Sequence, residues 1–266
     1  MIHNLHIELR WTPFATLVLR EIRRFLRVII QTLVTPVVNT TLYLLIFGVS
    51  LGQSLNMGSL SYLAFLIPGL VMMSALNNAF QNSSSSIIAM KFSGELEDLR
   101  STPMSELQIA VAFAVGGLVR GLLVGGITFI VGQVFYFVYE GVWLAVVHPA
   151  ALVFFLVVGG LAFSFMGMAI ALWARSVDQV SAVSAFVLLP LLYLGGVFFS
   201  LQSLSEAWQS VASLNPLLYL INGVRYGMVG ITDVPPVHAA ILSLIFLLVT
   251  YVVARVAMRA GSFQRW

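Results

Sequence analysis

The sequence predicts an all-α polytopic membrane protein: six transmembrane helices, an N-terminal amphipathic helix at the membrane interface, and two short re-entrant helices between spans five and six. Three observations carry that prediction. Of 266 residues, 60% are hydrophobic and 9% charged, with a mean hydropathy of +1.00; a soluble domain holds about 25% charged residues. The apolar residues gather into stretches of about 20 or more, the length needed to cross a hydrocarbon core. Basic residues collect in alternate connecting segments, as Lys and Arg do on the cytoplasmic side of a membrane. The chain reads as one domain over 1–266, with no length left over for a soluble catalytic unit.

Residues 1–13 hold Glu8, Arg10 and two His and lack the apolar core of a cleaved signal, so insertion is expected through the first span. An interface helix is placed at 10–27, started by Thr12-Pro13. One face carries Thr16, Arg20, Arg23, Arg24 and Arg27, the other Phe14, Val18, Ile22 and Phe25. Such a helix is attracted to anionic membrane lipid and could double as a docking shelf for a cytosolic partner. The spans follow at 28–50, 60–90, 109–138, 149–173, 180–199 and 237–258. With the N-terminus inside, Arg10, Arg20, Arg23, Arg24, Arg27, Lys91, Arg100, Arg175, Arg255, Arg259 and Arg265 are cytoplasmic, Arg225 is external, and Arg120 lies in the third span. Both termini are therefore expected in the cytoplasm.

Between spans two and three, Lys91, Glu95, Glu97, Asp98 and Arg100 fall within ten residues. The pattern gives a short helix at 93–102, acidic in its first turn and ending at Arg100, with Thr102-Pro103 starting the next helix. Leu96 and Leu99 share one face of it and would be exposed unless a protein partner covers them. Residues 201–233 hold two short patterns, Leu204/Trp208/Val211 and Leu217/Leu220/Ile221/Val224, the second following Asn215-Pro216. Each is too short to cross, and Trp208, Tyr219 and Tyr226 suit an interface. Gly223, Gly227 and Gly230 permit close backbone approach; the plainest role for this region is a cap on the bundle.

Two features lie within the spans. Gly117, Gly121 and Gly125 form a stripe that lets another helix approach closely. Arg120 beside it must snorkel, pair with an acid such as Asp178, or face water. The end of the second span, with Asn77, Asn78, Gln81, Asn82 and Ser83 to Ser86, is too polar for lipid. It must face a neighbouring helix or a water-filled path.

Several chemistries are excluded. There is no Cys, hence no thiol or disulfide chemistry. No H-E-x-x-H occurs, and no intramembrane His is placed for hydrolysis, haem or metal ligation. Glu140 and Asp178 sit at span edges rather than mid-membrane, which disfavours proton coupling. The chain has no phosphate-binding loop, so any ATP is hydrolysed by another chain. Net charge is +3 with the basic residues scattered, which is no nucleic-acid stripe.

Three segments in this order, Ile67-Pro68-Gly69-Leu70 through Ser74, Gly94-Glu-Leu-Glu-Asp-Leu-Arg-Ser-Thr-Pro103, and Leu189-Pro190 through Ser200 with Leu214-Asn215-Pro216, Tyr219 and Arg225-Tyr226-Gly227, resemble the permease subunits of ABC-2 type transporters. The likeness covers nearly the whole chain and is nearest to YadH-like permeases, more distantly to nodulation-factor and drug-exporter permeases. It implies a permease half, without a catalytic site or cofactor of its own, in a bacterial inner membrane. Two copies would pair near the first and fifth spans, and two ABC ATPase subunits carrying ATP and Mg would dock around Glu95, Leu96, Glu97, Asp98, Leu99, Arg100, Ser101 and Thr102. Members of the family are commonly more basic ahead of the loop glycine than this chain, which has only Lys91 there. The expected work is export of a lipidic, glycolipid or hydrophobic drug-like substrate, with motion relayed through that loop and Arg20, Arg23, Arg24 and Arg27. Asn39, Tyr43, Asn77, Asn78 and Tyr193 would line the route, polar side chains in spans avoiding lipid. The competing reading is an ATP-independent channel, flippase or structural membrane protein; an intramembrane enzyme ranks below both.

Overall fold

A computed structural model describes residues 2–51 and 60–260, and among these every regular element is helical. The first helix is α1 (Ile2–Leu26), followed by α2 (Ile29–Ser50) and α3 (Tyr62–Ser93). Short α4 (Glu95–Arg100) leads into α5 (Glu106–Glu140), α6 (Pro149–Trp173) and α7 (Val177–Val197). Then come α8 (Glu206–Ser213), α9 (Pro216–Val229) and α10 (Pro236–Arg259). Six of these, α2, α3, α5, α6, α7 and α10, are long and apolar enough to cross a membrane. Arg265 and the side chains of Arg10 and Arg100 lie outside what the structure describes.

The axis of the bundle is α3. Some 89% of its apolar stretch is buried within the chain, against 28% for α2 and 22% for α10. Glycines on both neighbours make this possible. A Cβ on Gly117 would come 2.8 Å from the Ala79 carbonyl oxygen, and one on Gly121 2.7 Å from that of Ala75. From the other side, a Cβ on Gly167 of α6 would meet the Phe80 carbonyl oxygen. The glycine stripe of α5 thus brings two backbones together, gaining dispersion contacts that lipid-facing side chains cannot supply. Two of the polar side chains enclosed with α3 take backbone partners, Ser83 Oγ donating to Phe113 O at 3.3 Å and Asn78 Nδ2 to Ser74 O at 3.1 Å, whereas Asn82 Nδ2 and Ser86 Oγ are buried without one.

Three expectations are corrected at the α4 end. Thr12-Pro13 does not start α1, which continues back to Ile2 with Pro13 inside it. Its buried stripe is Leu17, Glu21 and Phe25, at i, i+4 spacing, with Phe14, Val18 and Ile22 only half-buried. Nor does Thr102-Pro103 start α5. Ser105 does, in a reciprocal capping box with Gln108, while Thr102 Oγ1 donates back to Leu99 O at 2.6 Å and finishes the preceding turn. Finally, Leu96 is 1% exposed and sits in a core with Leu17, Met90, Phe113 and Leu172, Leu99 packing against it. Gly94 explains the difference: its left-handed φ of 82° ends α3 and folds α4 back onto the bundle. The apolar pair is therefore covered by its own chain and needs no partner.

At the opposite end α7 is irregular. Pro190 lacks an amide hydrogen and crowds the carbonyl four residues earlier, and wide π turns flank it at Ser184–Leu188 and Tyr193–Val197. Gly196, at φ 83°, then breaks the helix. Arg225 of α9 captures the freed backbone. Its Nη2 donates to Gly196 O at 2.7 Å, its Nε to Phe65 O at 3.4 Å, and its Cζ lies 3.8 Å from the Phe65 ring centroid. Around it Tyr62 Oη donates to Phe198 O at 2.8 Å, Asn215 Nδ2 to Leu191 O at 2.7 Å, and Ser200 Oγ to Asp233 Oδ1 at 2.7 Å. This connection fastens the ends of α3, α7 and α9 together.

Gly121→Val is expected to cost about 1–3 kcal/mol through overpacking, read as a lower melting temperature in mild detergent. Gly126→Ala, with nothing within 4 Å of the added carbon, should leave that temperature unchanged or raise it. Arg225→Met should cost about 2–3 kcal/mol, because it leaves the Gly196 carbonyl buried without a donor.

Candidate functional site

A cleft of about 830 Å³ opens between α2, α3 and α7. Helical periodicity builds its walls. Leu70, Ser74, Asn77, Gln81, Ser84 and Ile88 recur every three or four residues along α3, facing Thr32, Thr35, Asn39 and Tyr43 on α2. Asn39, Tyr43, Asn77, Asn78 and Tyr193 all line it, so the structure brings these five together. The serines of α3 divide between two environments. Ser84 and Ser85 reach the cleft, while Ser83 turns inward to α5.

Aromatic rings gather where α2 and α7 meet beside the cleft. Tyr43 Oη and Tyr193 Oη lie 3.2 Å apart, and the Phe198 ring stands 5.6 Å from Tyr43, 5.5 Å from Tyr193 and 4.8 Å from Phe47. Arg120 of α5 also lines the cleft. The suggestion that Asp178 pairs with it is not met: Asp178 is exposed in the first turn of α7, and among the described residues Arg120 makes no ion pair. Its Nε is buried without a hydrogen-bond partner.

At the α4 end, α1 connects the cleft wall to α4. Arg24 Nη2 donates to Asn82 O at 2.6 Å and to Asn82 Oδ1 at 3.2 Å, and its Nη1 donates to Ser85 Oγ at 3.2 Å. Glu21, fully buried against Gly116 of α5, stands 3.4 Å from Arg24 Nε and 3.6 Å from Arg20 Nη2. Burial pulls the pKa of the Arg24 guanidinium below its usual value, with the Glu21 carboxylate acting in the opposite sense. Arg20 Nη1 reaches Glu95 Oε2 of α4 at 3.4 Å. That pair is too exposed to contribute more than about 0.5 kcal/mol, so it steers rather than clamps. Glu97, Asp98 and Ser101 are exposed on α4 and just beyond it, as are Arg23 on α1 and Arg27 just after it, whereas Thr102 is half-buried. The residues expected to face a partner thus divide: Glu95, Glu97, Asp98 and Ser101 offer a surface, while Leu96, Leu99 and Thr102 turn partly or wholly into the bundle.

Three residues were missed as organising groups. Lys91, the one Lys in the chain, is buried, and its Nζ donates to Leu172 O and Ala174 O at 2.8 and 2.9 Å. An ammonium with three rotatable donors suits the splayed carbonyls at the C-terminus of α6. Glu21 was hidden within a run of Arg, and the available signal was an acid on the stripe with Leu17 and Phe25. Arg225 had only its isolation among apolar residues to mark it. Among the described residues no group of three or more His, Asp and Glu could hold a metal ion.

Comparison with known proteins agrees with this architecture. A family model described as "ABC-2 type transporter" matches residues 12–229. The chain is 37% identical over 262 residues to the inner membrane transport permease YadH of Escherichia coli K12, covering 97% of this chain and 99% of that protein. It is 27% identical over 220 residues to nodulation protein J of Rhizobium leguminosarum bv. viciae, covering 80% and 82% respectively. A matched region running from α1 to the end of α9 takes in the cleft, the acidic α4 and the Arg225 cap together, and on that basis the chain belongs to the ABC-2 transporter permease family.

Proposed function

We propose that this permease is the membrane subunit of an ATP-driven exporter in a bacterial inner membrane, moving a lipidic, glycolipid or hydrophobic drug-like substrate. The observation that carries the proposal is the polar cleft between α2 and α7. These same helices expose apolar side chains on their other faces, Ile30, Val34 and Val38 on α2 and Phe186 and Val187 on α7. A second copy laid against those faces would convert two half-open clefts into one shielded route. The cleft supplies the polar lining, and the direction of transport rests on the family resemblance.

ATP binding and hydrolysis belong to two partner subunits docked at the α4 end. Their motion enters through the exposed Glu97 and Asp98 of α4, with the exposed Arg23 and Arg27 as further contact points. Leu96 acts from behind as the anchor that makes α4 and the bundle move together. From α4 the push passes through Arg20 to Glu21 and Arg24, and from Arg24 to the buried Asn82 and to Ser85 on the cleft wall. α8 and α9 are the re-entrant pair on the external side, and both termini lie in the cytoplasm.

Replacing Leu96 would unfold the region rather than undock a partner, so the decisive variant is Glu97→Arg/Asp98→Arg. Tagged wild-type chain drawn from its native host in mild detergent should co-elute nucleotide-hydrolysing activity. The variant should retain less than about a tenth of it, since like-charge contacts at an interface cost several kcal/mol, with an unchanged melting temperature. Wild-type protein that elutes folded and without ATPase activity across detergent and salt conditions would instead favour the ATP-independent reading. Because the chain contains no Cys, orientation can be read directly. An impermeant maleimide should label Gln202→Cys on intact spheroplasts and Ser101→Cys only after permeabilisation; the reverse pattern would invert the topology.

A further inference from the structure

We propose that the cleft selects an amphiphile with an oxyanion headgroup, and that Arg120 is the residue that recognises it. The inference rests on the transport reading above and adds the chemistry of what is moved. Among the described residues Arg120 is the only charged side chain lining the cleft, whose walls there carry neither Asp nor Glu. It sits 14 residues into α5, roughly 21 Å along the axis, at a depth where a guanidinium without a counter-ion is costly to keep. Its Nε is buried and unpartnered, and Gly121 follows it, so α5 presses on α3 while the Arg side chain reaches the cleft.

The carboxylate beside Arg24 is already engaged. Glu21 stands between Arg20 and Arg24 at 3.6 and 3.4 Å. Arg24, whose Nη1 bonds the cleft-lining Ser85, adds a second positive charge at this end. The field in the cleft is therefore positive, and a cationic or neutral guest would leave Arg120 as it is. A phosphate or carboxylate would accept its donors in fork geometry, with the Ser and Asn side chains of α3 completing the shell. Leu70, Met73, Ile88 and Leu189, also on the wall, offer an apolar track for an attached chain. Headgroup and tail are thus provided for in one space.

The test uses the full chain purified in dodecyl maltoside and three probes: dodecyl phosphate, dodecyltrimethylammonium and inorganic phosphate, each read by tryptophan-fluorescence melting temperature. Dodecyl phosphate is expected to raise the melting temperature saturably, the ammonium amphiphile to have no such effect, and inorganic phosphate to bind at least ten-fold more weakly. Arg120→Gln should weaken dodecyl phosphate at least ten-fold. Arg120→Lys, which keeps the charge, should recover most of the loss, and Arg259→Gln, remote from the cleft, should behave as wild type. Should Arg120→Gln not fold, comparing Arg120→Lys with wild type gives the result: unchanged affinity for dodecyl phosphate over the ammonium amphiphile supports the charge role, and equal response to both overturns it. Inorganic phosphate binding as tightly as dodecyl phosphate assigns the site to a free anion and overturns the amphiphile. Stabilisation of wild type and Arg120→Gln alike overturns the site altogether, whichever way the ATPase co-elution experiment turns out.

Discussion

Everything in this molecule depends on how a helix with a polar half is kept in the middle of an apolar bundle. α3 carries Asn77, Asn78, Asn82 and Ser83 to Ser86, none of which lipid could solvate. Burial against Gly117 and Gly121 on one side and Gly167 on the other removes α3 from lipid by bringing backbones almost into contact. Once α3 is enclosed, its polar residues have two outlets. Of those on the enclosed side, Ser83 is satisfied by the α5 backbone while Asn82 Nδ2 stays buried without a partner, and those facing α2 and α7 create a polar surface, which is the cleft.

The same constraint explains the ends. Near each end of the central helix a charged residue is bonded to main-chain oxygen. Lys91 does this at the α6 terminus and Arg225 at the Gly196 break. A charged donor on a neutral carbonyl tolerates small displacements better than a tight apolar fit, because the attraction varies slowly with distance. α1 adds a lever between them, with Glu21 buried and Arg20 and Arg24 diverging from it toward α4 and the cleft.

Much of this was legible in the sequence because the signals were periodic and strong. Six apolar stretches, a glycine every fourth residue in α5 and a polar end to α3 each permit one physical solution, and Asn39, Tyr43, Asn77, Asn78 and Tyr193 share a surface because polar span residues have few places to go. The failures have a common cause. Leu96 and Leu99 were read as awaiting a partner because helix periodicity says which residues share a face and nothing about where that face points; Gly94 decides that, through one left-handed dihedral angle. Asp178 was a reasonable counter-ion for Arg120 by sequence distance, but it occupies the first turn of α7 and is exposed. Lys91 was counted as a loop charge, and only the tertiary position of the α6 terminus reveals it as a buried bond donor.

The wide turns of α7 have a mechanical consequence. The turn at Tyr193–Val197 contains Gly196 at φ 83°, so it is a break in the span rather than a continuous helix. It begins at the very residue that touches Tyr43. Element ends of this kind absorb dihedral changes that the middle of a packed helix cannot. The aromatic contact beside the cleft therefore stands on a hinge, while the opposite wall, α3, is packed along its length.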